Sequence, residues 1–151
     1  MGTIKHHHFE KYAAHGYEFL KKVAEKLGEP ENKDKAFRVT KSVLHALRNR
    51  LYPGEFVQLL AQLPMCIKAV AVDGWHFQEK PEKIRHLDDF IEEVMREDQR
   101  LAHQDFPNKE EALKAIKAVF GTIKEYVSEG EVKDVEAELP ESIRKLMEEA
   151  Q

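Results

Sequence analysis

Eight histidines and a single cysteine are the side chains best suited to hold a metal or act as a nucleophile in this chain. His6, His7 and His8 are consecutive, a run that takes up transition metals adventitiously on a mobile leader. His15, His45, His76, His86, His103 and Cys66 are scattered, and none of them makes an HExxH, CxxC or ExxH spacing. No metal ligand set is therefore assigned. His15 and His45 fall at the edges of apolar faces, where the expected outcome is a partly buried, hydrogen-bonded imidazole. Cys66 stands near the start of a short helix, a place that lowers a thiol pKa. It would still need a histidine and a third group around it to be a nucleophile, and it reads as a small filler. With 28 Asp and Glu in the chain, close carboxylate pairs arise by chance and read as solvated helix faces. No catalytic residue and no cofactor is assigned.

Interaction chemistry is the remaining option. Trp75 follows Gly74 at the end of an apolar stretch. Its expected role is to plug a seam between two halves of the chain, burying on the order of 150–250 Å². Its alternative role is a platform for a partner or ligand, with His76 and Arg85 close by in sequence. Charge is unevenly spread: Lys33–Arg50 holds six basic residues and one acidic, whereas Glu125–Glu149 holds nine acidic and three basic. Such blocks are solvated helix faces, or complementary surfaces between halves or between copies of the chain. Lys41, Arg48 and Arg50 join Trp75, His76 and Arg85 as the candidate interaction surface.

The bulk numbers bound what can carry these residues. A chain of 151 residues fits one domain. It buries about two-thirds of its unfolded surface on folding, so it needs no disulfide or metal to fold. A lone cysteine forms no intrachain disulfide and points to a reducing, cytoplasmic setting. The net charge of −4 gives no support for a nucleic-acid partner. No apolar run is long enough to cross a membrane.

Helical periodicity runs through almost the whole chain. After the leader (residues 1–8), Phe9 to Leu27 carries an apolar face through Tyr12, Leu20 and Val23, and Gly28 and Pro30 stop it. Asn32 caps the next helix, whose stripe is Phe37, Thr40, Leu44, Leu47 and Leu51. Pro53 opens a short helix that ends at Leu63-Pro64, and another runs to Val72. Residues 75–85 have no period and form a connector. Leu87, Phe90, Ile91, Val94 and Met95 mark a helix from His86, and Arg100–Phe106 fits helix or loop equally. Asn108 with Glu111 opens a long helix, and Ser128 with Glu131 forms a full capping box before the closing helices. The fold class is all-α, with about eight helices.

The chain also repeats itself. Residues 36–67 align without a gap on 112–143, an offset of 76 positions. The identical pairs include Gly54/Gly130, Glu55/Glu131, Leu63/Leu139, Pro64/Pro140 and Ile67/Ile143. The first helices match at a shift of 71, as in Phe19/Phe90 and Val23/Val94, so the second copy carries an insertion around Arg100–Phe106. Packing and capping positions are what the repeat preserves. It implies two units of roughly four helices, residues 9–74 and 86–151, packed as one pseudo-twofold bundle with a groove along the midline.

The run Val43-Leu44-His45-Ala46-Leu47-Arg48-Asn49-Arg50-Leu51, then Pro53, Glu55 and Leu59 to Pro64, resembles a bacterial family known as domain of unknown function 2267. Gly74-Trp75, Phe90 with Val94, Ser128 to Glu131 and Leu139-Pro140 follow in the family's order, from about Tyr17 to Met147. Tyr52 and His86 depart from it, standing where a hydroxyl cap is usual. The resemblance implies an all-helical, internally repeated fold and no activity. The function expected is a non-enzymatic protein-binding or regulatory module, either self-associating as a homo-oligomer or taking a protein partner. The alternative is a small-molecule- or metal-binding bundle, or an enzyme, that uses a groove lined by Trp75, His76 and His45.

Overall fold

The computed structural model describes residues 7–82 and 86–151. In chain order the helices are α1 (His7–Lys26), α2 (Lys33–Arg48), α3 (Pro53–Ala61), α4 (Met65–Val72), α5 (Leu87–Asp98), α6 (Ala102–Asp105), α7 (Lys109–Tyr126), α8 (Glu129–Glu138) and α9 (Glu141–Glu149). A 3-10 turn over Gln99–Leu101 joins α5 to α6, and no strand occurs among the described residues. The one β-like run of the sequence, Ile67–Val72, lies within α4. Arg85 falls outside the described residues, as does most of the expected leader. Of that leader, His7 and His8 already belong to α1.

Caps and prolines set the helix starts. Asn32 accepts from the Lys35 amide at 3.1 Å, and Asn108 accepts from the Glu111 amide at 2.9 Å, each satisfying a donor that the first turn leaves free. Pro53 sits in the first turn of α3, whereas Pro64 and Pro140 are the caps just outside α4 and α9. Tyr52 and His86 make no side-chain cap, as their residue types lead one to expect. The starts of α2, α3 and α4 precede those of α7, α8 and α9 by the same 76 positions.

Apolar faces then dictate the packing. Phe19, Phe56, Phe90, Phe106 and Phe120 are fully buried, and the core runs continuously through both halves. Helix α1 packs on α2, α4 and α7, and α5 packs on α7, α9 and α2. Helix α3 faces α8, and α2 faces α7. Exchanging α1–α4 for α5 and α7–α9 turns the three pairings of α1 into those of α5 and leaves α3–α8 and α2–α7 as they are. The extra residues of the second half form α6, and Phe106 behind it anchors the insertion in the core. Phe9 and Phe37 depart from the expected apolar stripes. Phe9 is 76% exposed at the helix start, and Phe37 is 41% exposed, turned outward beside α1 and α4.

Candidate functional site

Arg48 and Arg50 are not surface residues. Arg48 is 8% exposed and Arg50 2%. The Arg48 guanidinium donates to the carbonyls of Ala71 (2.9 Å), Asp73 (2.7 Å) and Gly74 (3.3 Å), at the end of α4. A cation there satisfies carbonyls that the last turn leaves free and complements the negative end of the helix dipole. Lys124, at the equivalent place in the repeat, does the same for α9 through Met147, Glu148 and Ala150. Arg50 pairs with Glu93 of α5, itself 5% exposed, and donates to the Glu82 carbonyl at 2.9 Å. Asn49 adds a hydrogen bond to Glu93 at 2.6 Å. Both arginines are thus structural, and of the basic block read from the sequence only Lys33, Lys35, Arg38 and Lys41 stay near the surface. Among the described residues no ion pair joins the basic block of α2 to the acidic block of α8 and α9. The expected complementarity between halves is not made by those residues.

Trp75 is half-buried. Its ring lies 5.4 Å from Phe56, edge to face, and 6.2 Å from Phe77. With His76 it lines a nearly filled recess whose walls come from Arg48 to Pro81. Trp75 therefore packs against α3, beside the loop that leaves α2. His45 lines a different hollow, so among the described residues no groove joins Trp75, His76 and His45.

What forms in its place is a polar cleft of about 360 Å³ where α2 meets the end of α5. Phe37, Arg38, Lys41, Ser42, His45 and Arg48 supply one wall; Asp73 and Gly74 close an end; Glu97, Asp98 and Gln99 face them. The spacing of Arg38, Lys41, His45 and Arg48 puts these four on one side of α2. His45 is buried, and its Nε2 donates to the Val70 carbonyl at 2.8 Å. Burial lowers its pKa and nearby Arg48 adds to this, against the opposing effects of Val70 and Glu97. The neutral ring then carries its proton on Nε2 and leaves Nδ1 as an acceptor, 3.5 Å from Glu97.

Arg38 grips Asp105 with two bonds, at 2.8 and 3.0 Å. Asp98 lies beside Asp105, and its Oδ2 is buried with no donor facing it. Burial, together with proton sharing and repulsion from Asp105, pushes Asp98 up to about 7. Asp105 is held below its ordinary value because the Arg38 guanidinium and the Asp98 hydroxyl outweigh the cost of burying it. Gln99 follows with φ 58°, a left-handed conformation unfavourable for a side chain and worth about 1–3 kcal/mol of strain. The sequence marked His45, Lys41 and Arg48 but missed Arg38, Glu97, Asp98 and Asp105. The only sequence signal for the last three was their place beside or within the aperiodic insertion around Arg100–Phe106.

A second cluster lies where α3 meets α8. The Tyr52 amide donates to Glu138 at 2.8 Å, and the Ser128 amide donates to Gln62 at 2.8 Å. These two bonds occupy equivalent places in the repeat, so each helix caps the other. Ser128 accepts from the Glu131 amide at 3.2 Å, as a capping box requires. The return bond of the expected box is absent because Gln62 already holds the Ser128 amide. Glu131 turns instead towards Glu55. Burial and proton sharing with Glu55, with further repulsion from Asp134 and Glu138, push Glu131 up to about 8. These carboxylates are not the solvated helix faces expected of them. Glu55 and Glu131 are repeat equivalents, so a carboxylate pair is built from a repeated position.

His15, His76, His86 and His103 are exposed on separate elements, and Cys66 is a half-buried free thiol beside Gly16. Among the described residues, no helix is long and apolar enough to cross a membrane.

Fold and site together define an all-α bundle with a polar cleft where α2 meets α5. The chain belongs to the family described as uncharacterized conserved protein, DUF2267, whose model matches residues 16–146. No curated protein matches the chain.

Proposed function

We propose that this chain is a non-enzymatic binding module and that its ligand is a small polar molecule held in the cleft where α2 meets α5. On this reading the halves are two copies of one unit about a pseudo-twofold axis between α3 and α8. The reciprocal caps and exchangeable helix pairings support that arrangement. One observation carries the ligand reading: a neutral buried imidazole, a carboxyl titrating near 7 and an Arg48 Nε with no acceptor all meet at a single 360 Å³ cleft. Perturbed groups in a concave site of this size are the usual marks of ligand recognition. Donors (Lys41 and the Asp98 hydroxyl) and acceptors (His45 Nδ1 and Glu97) line it together. The matching ligand carries both hydrogen-bond donors and an anionic or carbonyl group.

The protein-docking reading keeps one specific support. An apolar hollow of about 210 Å³ lined by Tyr17, Leu20, Phe37 and Val70 adjoins the cleft across Phe37. An amphipathic partner would lie along both.

Ligand-observed NMR with a library of small polar metabolites tests the first reading. Hits are expected to lose about tenfold or more in affinity in Lys41→Glu and in Glu97→Gln, each variant removing one charged contact. Both positions are partly exposed, so folding stability should change little. Hits indifferent to both substitutions, or no hits, would contradict the cleft as the binding site.

A further inference from the structure

Three metal-capable side chains converge at the contact between α3 and α8. Glu55, Glu131 and Asp134 each bring a carboxylate oxygen to within 4.8 Å of the other two. Glu131 is 7% exposed, and its Oε2 meets no hydrogen-bond donor. Glu55 Oε2 is likewise buried and unpartnered. Asp134 is exposed and opens the cluster to solvent. No ion pair among the described residues reaches any of the three. Buried polar atoms are nearly always satisfied, so two glutamate oxygens without donors in one cluster call for a partner.

We propose that Glu55, Glu131 and Asp134 bind a divalent cation of calcium size and so tie α3 to α8. The donor set is all oxygen and all carboxylate, which selects hard cations over zinc or copper. Oxygens around Ca²⁺ lie about 2.3–2.6 Å from the ion, so ligands of one ion stand up to about 5 Å apart. The spacing in the cluster falls within that span. Mg²⁺, with bonds of about 2.0–2.1 Å, requires a tighter grouping. Glu55 and Glu131 are the third residues of their helices, where the positive end of the helix dipole favours the ionised carboxylate that a cation needs. Glu138, held by the Tyr52 amide, adds negative charge nearby. Because the ligands come from both helices, binding favours the folded state and raises the melting temperature. The site is independent of the cleft beside α5.

Calorimetric titration of the full chain with CaCl₂, alongside melting curves with and without the salt, tests this. The histidine run near the N-terminus does not interfere, because imidazole is a poor ligand for Ca²⁺. One Ca²⁺ per chain is expected, with a higher melting temperature and weaker binding of Mg²⁺. Glu131→Gln should cost about tenfold or more in Ca²⁺ affinity, and above about pH 8, where the free glutamate ionises against Glu55, it should raise the cation-free melting temperature. Asp134→Asn, at an exposed position, should also weaken binding and keeps the test open if Glu131→Gln does not fold. Absence of heat and of a melting shift at millimolar Ca²⁺ would overturn the site, leaving two glutamates that share a proton. Binding undiminished in Asp134→Asn, or tighter for Mg²⁺ than for Ca²⁺, would overturn it as well.

Discussion

Glu93→Ala is expected to destabilise the fold by about 3–5 kcal/mol, the cost of leaving a buried charge without its partner. Glu93 is the counter-ion of Arg50, and both are more than nine-tenths buried between α2 and α5. Removing the carboxylate leaves a guanidinium out of water with the Glu82 carbonyl, a long contact to the Asn49 carbonyl and the distal Glu82 carboxylate, 3.5 Å away, for company. Asn49 loses its acceptor at the same time. The pair itself is not the source of stability, since desolvating two charges roughly cancels their attraction. The double variant Arg50→Met, Glu93→Leu should therefore recover most of the loss. An internal control lies at the equivalent place in the other half, where Lys22 sits over the Tyr126 ring at 4.5 Å. Lys22→Ala should cost only about 0.5–1 kcal/mol, the value of an exposed cation–π contact. Urea denaturation of the four proteins checks the series. A loss below about 1 kcal/mol in Glu93→Ala would mean that Arg50 reaches water.

The second large effect tests the shared core. Leu63 and Leu139 are repeat equivalents, 4% and 5% exposed, and each stands just past its short helix, before a proline. Both belong to one continuous core. Leu63→Ala and Leu139→Ala are each expected to cost about 2–5 kcal/mol, combining the lost transfer energy with a cavity the close-packed helices cannot fully collapse. Because the core is continuous, each variant should unfold in one transition by fluorescence and by circular dichroism. A near-neutral result at either leucine, or two separated transitions, would contradict a core common to both halves.

Much of this fold is legible in the sequence because it rests on local physics. Asn32, Asn108 and Pro53 act through their own first turns, so their roles can be read without knowing the tertiary structure. The 76-residue offset survives because packing positions and helix stops are what two copies of a unit must share. Burial of charge is a different matter. Arg48 and Arg50 stand on a basic helix and read as surface, yet the end of α4 and the side chain of Glu93 cover them. Those neighbours lie about 23 to 43 positions away along the chain. Glu131 satisfied a local pattern for capping, but Gln62 from another helix took the amide first. Phe37 fitted the periodic stripe and still faces out, because an apolar period marks a face without saying how wide the covering elements are. The cleft beside α5 was hidden for the same reason. Half of its wall comes from the end of α5 and the aperiodic stretch after it, where spacing carries no signal.

A ligand-binding cleft where α2 meets the end of α5 requires Asp98 and Asp105 to hold their protons unequally. Carboxyl ¹³C NMR of Asp98 and Asp105 across pH 3–9 tests it most directly. Asp98 is expected to titrate near 7, with Asp105 below its ordinary 3.8. Because the folded value of Asp98 lies above its unfolded value of about 3.8, the stability it confers is fully present below that value. It is lost as the pH rises through about 7. Asp98→Asn should flatten that slope between these two values. Titration of both aspartates near 4, with no change of slope in Asp98→Asn, would contradict the claim.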